Sequence, residues 1–417
     1  MPELSSAQGD PQAFSPEARL LILAARLELE PAEAAAMANL LQGELQWPSL
    51  LKDAHLLGAQ TLLYHHLATP PFAGLVPAQA LAELARAYQN GSLKNLRMHG
   101  LVLRLFAEFQ ARGFEVMLLK GGFLGPWLYR DLALRPMSDL DLLIHPQDRQ
   151  GLWTLLHELG FQDQPGEGTV LPSGLDEAVV LKTSHLPPLF LPKVARLEVH
   201  LYLLSEGPPR PVPILEELWA QGMEVAWNGV PVRGLGLEHL VLYLCCHLHK
   251  HAVGNDSPTL YWFCDLHEII RSHGSALDWD RLLATARSLG KEAALAGVLT
   301  LLKMHWGTSV PASIPRQGGL DLGVILQTAH LDTTGKTEHR LAFLYWDTLV
   351  SLRHAQGPAA KLRNLLALVF PTREKLAFRH QARTPWSLLL WRVLDPFWQF
   401  GRISRSLFIH ATRRLRH

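Results

Sequence analysis

The chain has few cysteines, almost no net charge and no long hydrophobic run. Three cysteines among 417 residues, two of them adjacent, exclude a disulfide framework, so a reducing cytoplasm is the expected location. A formal net charge of +1 gives no positive field that would attract nucleic acid, and we expect no specific nucleic-acid partner. No apolar stretch approaches the roughly 20 residues that a transmembrane helix needs.

The N-terminal segment, MPELSSAQGDPQAF, lacks the basic and apolar regions of a signal peptide. Its content of Ser, Pro, Gln and Gly predicts disorder over residues 1–16. The whole chain is 48% hydrophobic, which is ample for a buried core. At roughly 150 residues per domain, its length suggests two or three domains.

Hydrophobic periodicity divides the rest of the chain into four parts. Residues 17–110 are predicted to form a helical subdomain, whose last helix runs from about Leu93 to Gln110. Residues 111–205 mix strands and helices, with short strands at 178–182 and 188–191, which predicts an α/β (α+β) core with a small mixed sheet. Residues 206–310 are predicted to be a helical domain packed on that core, after a hairpin signal at Asn228-Gly229. Residues 311–417 are predicted to be helical.

The stretch from Phe114 to His145 carries the strongest chemical pattern. The strand-like LLKGG is followed by a helical segment and then by SDLDLLI. Alternation along that last strand places Asp139 and Asp141 on one face. Two neighbouring carboxylates repel each other unless a cation lies between them, and oxygen ligands of this kind suit Mg²⁺. The alternative is an exposed Asp-x-Asp at a strand edge.

A third carboxylate stands in a cleanly alternating segment, ARLEVHLYL. As a strand, this segment places Glu198 on one face with Arg196 and His200, while its leucines and its valine lie on the other. The alternative interpretation is a glutamate that is unrelated to the Asp-x-Asp.

LLKGG followed by LRPMSDLDLLI resembles a bacterial family called uncharacterised nucleotidyltransferases, within the polymerase-β-type nucleotidyltransferase superfamily. The resemblance implies a polymerase-β-like core between helical flanks, Mg²⁺ as cofactor with Mn²⁺ as the alternative, and an NTP as substrate. It also implies that Asp139, Asp141 and Glu198, on neighbouring strands, are both the catalytic carboxylates and the metal ligands. The gap from Gly122 to Asp139 is longer than is usual in the superfamily, but it suits this family.

Three small residues near the carboxylates are candidates for binding phosphate. Gly121 and Gly122 lack β-carbons, so their backbone N–H groups would approach phosphate oxygens closely at the start of a helix. Ser138 is a candidate hydrogen-bond donor to phosphate. The alternative is that all three residues only form turns.

Two cations stand close to the same motif. Lys120 and Arg135 are predicted to contact the triphosphate of the nucleotide, because each carries a charge beside the expected binding loop. The alternative is an ion pair with Asp131 or Asp148.

The segment CCHLHKH resembles a metal-binding cluster, because His247 and His251 are four residues apart on one helix face. Zinc binding is one interpretation, and packing or a surface role is the other. The resemblance implies a third: Lys250-His251 and the following Trp262-x-x-Asp265 match a Lys-His and a Trp-x-x-Asp of the family. Lys250 and His251 would then contact the triphosphate or the base, with a buried Lys250–Asp265 ion pair as the alternative.

The C-terminal tail, residues 385–417, is basic and aromatic, with Asp395 as its only acid. Its aromatic and basic residues are Trp386, Trp391, Phe397, Trp398, Phe400, Phe408, Arg392, Arg402, Arg405, Arg413, Arg414 and Arg416. Such a segment suits peripheral contact with anionic lipid, and thus a place at the inner membrane. A helix pair that closes the core and a surface for a protein partner are the alternatives.

Together with these patterns, the resemblance predicts a Mg²⁺-dependent nucleotidyltransferase. It would move a nucleotidyl group from an NTP to a hydroxyl or phosphate of an unidentified acceptor, which the resemblance implies is a small molecule, a sugar or a peptide in a biosynthetic pathway. Phosphoryl transfer on the same fold and non-catalytic nucleotide binding within a pathway complex are the alternatives.

Overall fold

The computed structural model describes residues 14–163, 186, 188–204, 213–253 and 258–326, together with positions 386, 390, 392 and 394. The described residues up to position 326, apart from Val253, lie in one of two compact units. Residues 1–13, the strand predicted at 178–182 and most of the region 311–417 lie outside the described residues.

From residue 14, where the described chain begins, five helices precede the sheet, in the region that the periodicity predicts to be helical. They are α1 (Pro16–Ala24), α2 (Pro31–Gln42), α3 (Trp47–Leu56), α4 (Gln60–Leu67) and α5 (Ala78–Arg112). A proline stands in the first turn of α1, α2 and α3, where its missing N–H costs no hydrogen bond. Helix α5 is 35 residues long, so it begins well before the predicted Leu93. It ends at Gly113, whose φ of 73° only glycine adopts readily.

Within the described residues, seven strands form one mixed sheet, which confirms the predicted α/β core. They are β1 (Val116–Leu119), β2 (Asp139–Ile144), β3 (Gln162–Asp163), β4 (Leu189–Leu191), β5 (Ala195–His200), β6 (Met223–Trp227) and β7 (Val230–Gly234). Their order across the sheet is β3-β4-β5-β2-β1-β7-β6. The β2–β5 and β1–β7 pairs are parallel, and the other pairs are antiparallel.

The hairpin of β6 and β7 has the turn that Asn-Gly predicts. Asn228 and Gly229 both have positive φ, 48° and 80°, as a two-residue hairpin turn requires. Strand β7 pairs with β1 through Met117 and Arg233. The sheet therefore continues past residue 205, because strand β1 leaves an edge that a hairpin distant in sequence can extend.

Seven further helices are defined in the described part of the chain, and residues 322–326 are also helical. The seven helices are α6 (Lys120–Leu124), α7 (Arg149–Glu158), α8 (Pro213–Ala220), α9 (Leu237–Val253), α10 (Leu260–His273), α11 (Trp279–Ser288) and α12 (Glu292–Trp306). A π-helical turn, Gly125–Tyr129, continues α6. A 3₁₀ turn, Pro146–Asp148, precedes α7, and the chain after α7 turns at Gly160, whose φ is 95°. Among the described residues, no helix combines the length and the apolar character needed to cross a membrane.

The two faces of the sheet pack into different apolar clusters. Leu140 and Leu142 join the second half of α5 and α7 in one cluster. Met117, Leu119 and Leu143 lie on the opposite face and join a second cluster with side chains from α1–α4 and α9–α12. Alternation along β2 puts Asp139 and Asp141 on this second face, the face of Leu143. The carboxylates are therefore on the side of the sheet that packs with α1–α4 and α9–α12.

Candidate active site

Asp141 and Glu198 lie side by side on neighbouring strands. The parallel register of β2 and β5 pairs Asp141 with Glu198 and Leu143 with His200. Ligand atoms of Asp141, Glu198 and His200 all lie within 4.8 Å of one another. In the part of the chain that the structure describes, no other set of three histidine, cysteine or acidic side chains converges in this way.

Asp139 lies on the same face of β2 but outside this group. Its Oδ1 accepts a hydrogen bond of 3.0 Å from Ser138 Oγ. Burial and the charge of Asp141 raise the pKa of Asp139. The structure thus joins two of the three predicted carboxylates with His200, and the ligand role of Asp139 stays a prediction.

Two side chains of the protein contact one oxygen of Asp141. Lys120 Nζ donates a hydrogen bond of 2.7 Å to Asp141 Oδ1, and His200 Nε2 lies 3.0 Å from the same oxygen. Lys120 stands where β1 turns into α6, with a φ of 46° that non-glycine residues seldom adopt. The predicted phosphate cation therefore contacts a carboxylate in this structure.

Electrostatics keep Lys120 and Asp141 charged. Burial alone would raise the pKa of Asp141, but Lys120 and His200 outweigh burial and lower it well below its usual range. Burial likewise opposes the charge of Lys120, but Tyr243 and Asp141 outweigh it and raise its pKa. Asp141 is consequently a buried anion that Lys120 and His200 stabilise.

Helix α9 covers the carboxylates. The Tyr243 side chain lies within hydrogen-bonding reach of Lys120 and feels the charges of Asp141 and Glu198. One turn later, burial and the nearby Lys120 charge lower the pKa of His247 to about 2, so this imidazole is neutral. Sequence reasoning missed Tyr243, although it stands four residues before His247 on the same face.

Gly121 and Gly122 are required by packing. A β-carbon on Gly121 would lie 2.7 Å from Nη1 of Arg135, and one on Gly122 would lie 2.9 Å from Cδ1 of Leu118. Both distances are shorter than van der Waals contact, so larger residues would displace their neighbours. The glycines follow a strand and open a helix, as predicted, and their contact with phosphate stays a prediction.

Arg135 forms a buried ion pair with Asp265. Nε and Nη2 donate hydrogen bonds of 2.9 and 2.8 Å to the two oxygens of Asp265, and Nη1 donates to the Pro136 carbonyl oxygen at 2.8 Å. The guanidinium also lies 4.3 Å from the centre of the Tyr261 ring. The sequence predicts a phosphate contact, or a pair with Asp131 or Asp148. The structure shows this pair instead, because the fold brings together residues that are 130 positions apart.

This pairing also corrects the predicted Lys250–Asp265 ion pair. Asp265 is fully buried and accepts a further hydrogen bond of 2.6 Å from the Tyr129 hydroxyl. Lys250 is exposed near the end of α9, because it lies on the other side of that helix from the buried face. Its contact with a nucleotide stays a prediction.

His247 and His251 pack with Trp262 of α10. The ring centres of the two histidines are 4.6 Å apart and lie 4.6 and 5.0 Å from that of Trp262. Among the described residues, neither histidine belongs to a group of three candidate metal ligands. The arrangement favours packing between two helices over a zinc site, and it leaves the His251 contact with substrate as a prediction.

A family model described as uncharacterised nucleotidyltransferase matches residues 43–307. The chain belongs to this family. The match extends from the helices before the sheet to the end of α12, so it includes the entire sheet and the carboxylate site. No curated protein and no solved structure matches the chain. Membership in a nucleotidyltransferase family makes the protein a transferase, and Asp141, Glu198 and His200 form its candidate metal centre.

Proposed function

We propose that the protein transfers a nucleotidyl group from an NTP to a hydroxyl or phosphate of a small molecule, sugar or peptide in a biosynthetic pathway. The observation that carries the proposal is the pairing of Asp141, from the Asp-x-Asp strand, with Glu198 on the neighbouring strand, within the region that matches a nucleotidyltransferase family. Asp141 is kept ionised in a buried setting, which is the state that a ligand for a divalent cation needs.

The donor set fits a divalent cation, Mg²⁺ or Mn²⁺. Lys120 and His200 both contact Oδ1 of Asp141, so the donors converge on this oxygen. Asp139 and Asp141 would hold the ion that carries the triphosphate, and Glu198 would serve the ion at the acceptor. When bound, such ions would neutralise phosphate charge and make the acceptor hydroxyl easier to deprotonate.

Other residues of the chain would bind and orient the nucleotide. Lys120 is charged and buried beside Asp141, and a metal ion at Asp141 would free its ammonium group for a phosphate oxygen. The backbone N–H groups of Gly121 and Gly122 and the Ser138 hydroxyl would add hydrogen bonds to phosphate. Lys250 and His251, at the end of α9, would meet the base or the triphosphate.

Nucleotide binding is expected to depend on the metal. In thermal melts of the wild type, at least one of the four NTPs should raise Tm when Mg²⁺ or Mn²⁺ is present. At a nucleotide concentration of about 100 times Kd the gain is about 2.7 kcal/mol, or about 4 °C for a unit of roughly 300 residues. Without the metal the shift should be absent, because the phosphates would meet the carboxylates directly while Lys120 remains paired with Asp141. A full shift in EDTA, or no shift with any NTP, would contradict the proposal.

Labelled nucleotides separate the proposed reaction from its two rivals. With a metabolite extract as the source of acceptor, nucleotidyl transfer moves label from the α-phosphate of the NTP into product, and label from the γ-phosphate leaves with pyrophosphate. Phosphoryl transfer gives the opposite pattern, and a non-catalytic nucleotide-binding protein labels nothing.

We further propose that the C-terminal tail contacts an anionic membrane surface. Trp386, Leu390 and Leu394 are helical residues four positions apart, and their exposed fractions are 81, 56 and 41%. Residues at this spacing share one helix face, and Arg392 is exposed beside them. An apolar face with flanking arginine suits the boundary between headgroups and acyl chains, and would place the protein at the periphery of the inner membrane.

The full-length protein should therefore bind vesicles that contain anionic lipid, and high salt should weaken binding, since charges act over only about 8 Å at physiological ionic strength. Serine at positions 386, 390 and 394 together should abolish this binding. Leu96→Ser is the control, because Leu96 is 59% exposed on α5. Equal vesicle binding by the triple variant and the wild type would refute the membrane contact and leave the surface to a protein partner.

A further inference from the structure

We infer that His200 is a metal ligand, and that its nitrogen makes the site bind Mn²⁺ more tightly than Mg²⁺. The inference rests on the proposed function in so far as it requires a cation at Asp141. It goes further by assigning a role to a residue that the carboxylate pattern does not include, and by choosing between the two ions.

The position of His200 is fixed by the sheet. Strands β2 and β5 pair over five successive residues, from Asp139 with Arg196 to Leu143 with His200. The His200 side chain is 13% exposed, so its ring has little freedom to move. Its Nε2 lies 3.0 Å from Asp141 Oδ1. Two ligands at right angles around an ion with bonds of about 2.1 Å are also about 3 Å apart, so the separation fits shared coordination.

Asp139 does not offer an equivalent third ligand in this structure. It stands at the first position of β2, its Oδ1 is hydrogen-bonded to Ser138, and it lies outside the group of converging ligand atoms. The donor set around Asp141 thus consists of two carboxylates and one imidazole, whereas a set of three carboxylates would offer only oxygen.

One nitrogen among the ligands changes the preferred ion. Mg²⁺ is a hard cation that takes oxygen ligands and keeps much of its water, so an imidazole contributes little to its binding. Imidazole is chiefly a ligand of transition metals, and it suits Fe²⁺, Ni²⁺, Cu²⁺ and Zn²⁺ best. Mn²⁺ shares with Mg²⁺ its preference for carboxylate and water oxygens, but as a transition metal it gains more than Mg²⁺ does from one nitrogen ligand. The mixed donor set therefore favours Mn²⁺ over Mg²⁺.

Pulsed electron paramagnetic resonance of the Mn²⁺-loaded full-length protein tests ligation directly. A nitrogen bound to Mn²⁺ modulates the echo, and labelling the histidines with ¹⁵N shifts the modulation frequency, which identifies imidazole as its source. We expect this histidine signal in the wild type, without nucleotide and with it, and we expect its loss in His200→Asn. Its absence from the wild type, or its persistence in His200→Asn, would overturn the inference.

Metal titrations of the same variants test the preference. His200→Asn should lower the affinity for Mn²⁺ at least 10-fold and the affinity for Mg²⁺ much less. His200→Asp restores an oxygen ligand, so the ratio of Mn²⁺ to Mg²⁺ affinity should fall about 10-fold. His145→Asn is the matched control, because His145 contacts Glu115 at 3.0 Å just after β2. It should leave both affinities unchanged. If His200→Asn alters neither affinity, His200 only positions Asp141.

These results distinguish failure of the inference from failure of the proposed function. Metal-dependent NTP binding without a histidine signal would refute the inference about His200 and leave the nucleotidyltransferase proposal intact. No metal binding at all, with and without NTP, would refute both.

Discussion

Asp141→Asn should abolish the metal-dependent stabilisation by NTP and lower nucleotidyl transfer more than about 100-fold. Loss of partners that only support metal ligands typically costs about 10–100-fold in activity or metal affinity, and Asp141 is the residue that both other members of the candidate metal centre adjoin. The measurements are thermal melts with NTP and metal, and transfer assays with α-labelled NTP. A mutant that keeps the full nucleotide-dependent shift would remove Asp141 from the metal site.

The same substitution should destabilise the protein without ligand. Two adjacent carboxylates suggest that removing one would relieve repulsion, but Lys120 and His200 hold the pKa of Asp141 below its usual range. Asparagine would leave the buried Lys120 ammonium without its counter-ion, at a cost of about 3 kcal/mol, or a Tm lower by about 5 °C. Because the folded pKa is lowered, this stability is present above about pH 4 and declines as the pH falls further.

Asp139→Asn is the matched comparison, since it makes the same chemical change two residues away on the same strand face. Burial and the neighbouring Asp141 charge raise the pKa of Asp139, so its carboxylate is less favourable in the folded state. Neutralising it should leave the Tm of the unliganded protein unchanged or slightly higher. Equal loss of Tm in both variants would contradict the electrostatic assignment of the pair.

The carboxylate strands could be predicted because alternation is a local property. The period of two along SDLDLLI and ARLEVHLYL places Asp141 with Asp139 on one face of its strand, and Glu198 with His200 on one face of the other, and the structure pairs Asp141 with Glu198 directly. The same pattern placed His200 on the face of Glu198. The pattern gives His200 no role, because alternation along a strand does not tell a metal ligand from a residue that only lies beside one.

The partners of the charged residues could not be predicted, because they depend on contacts between distant segments. Lys120 was expected to face phosphate, yet the β1–β2 pairing brings Leu119 opposite Asp141 and carries the next residue, Lys120, to that carboxylate. Arg135 meets Asp265 only because α10 packs beside the site. The spacing of residues along the sequence gives neither the Lys120–Asp141 distance nor the Arg135–Asp265 distance. It also does not tell whether an arginine is buried or exposed.

The position of the β6–β7 hairpin in the sheet also could not be predicted. Asn228-Gly229 predicts its turn, but no local pattern predicts which strand the hairpin pairs with. Strand β7 adds to β1 in parallel, and a parallel pairing needs a long connection that local signals do not mark. The sequence therefore predicts best where helices and strands form and which residues share a face of a strand. It predicts least well which strands and helices lie next to each other.

Arg135→Met should destabilise the protein by about 3–5 kcal/mol, because it leaves the Asp265 carboxylate buried without its counter-ion. Asp265 is fully buried and has the Tyr129 hydroxyl as a further donor, which replaces only part of the lost interaction. For a unit of roughly 300 residues the expected fall in Tm is about 5–8 °C. Thermal and denaturant melts of the unliganded protein provide the measurement.

Arg112→Met is the control for the loss of an arginine from an ion pair. The side chains of Arg112 and Glu158 are 49 and 53% exposed, and an exposed ion pair contributes about 0–1 kcal/mol to stability. The Tm of Arg112→Met should therefore barely change. Adding Asp265→Leu to Arg135→Met should restore part of the lost stability, because the buried charge is then removed from both sides. If Arg135→Met and Arg112→Met melt alike, the Arg135–Asp265 pair does not hold α10 to the carboxylate site. If the double variant melts lower than Arg135→Met, the carboxylate of Asp265 stabilises the fold through Tyr129 even without the arginine.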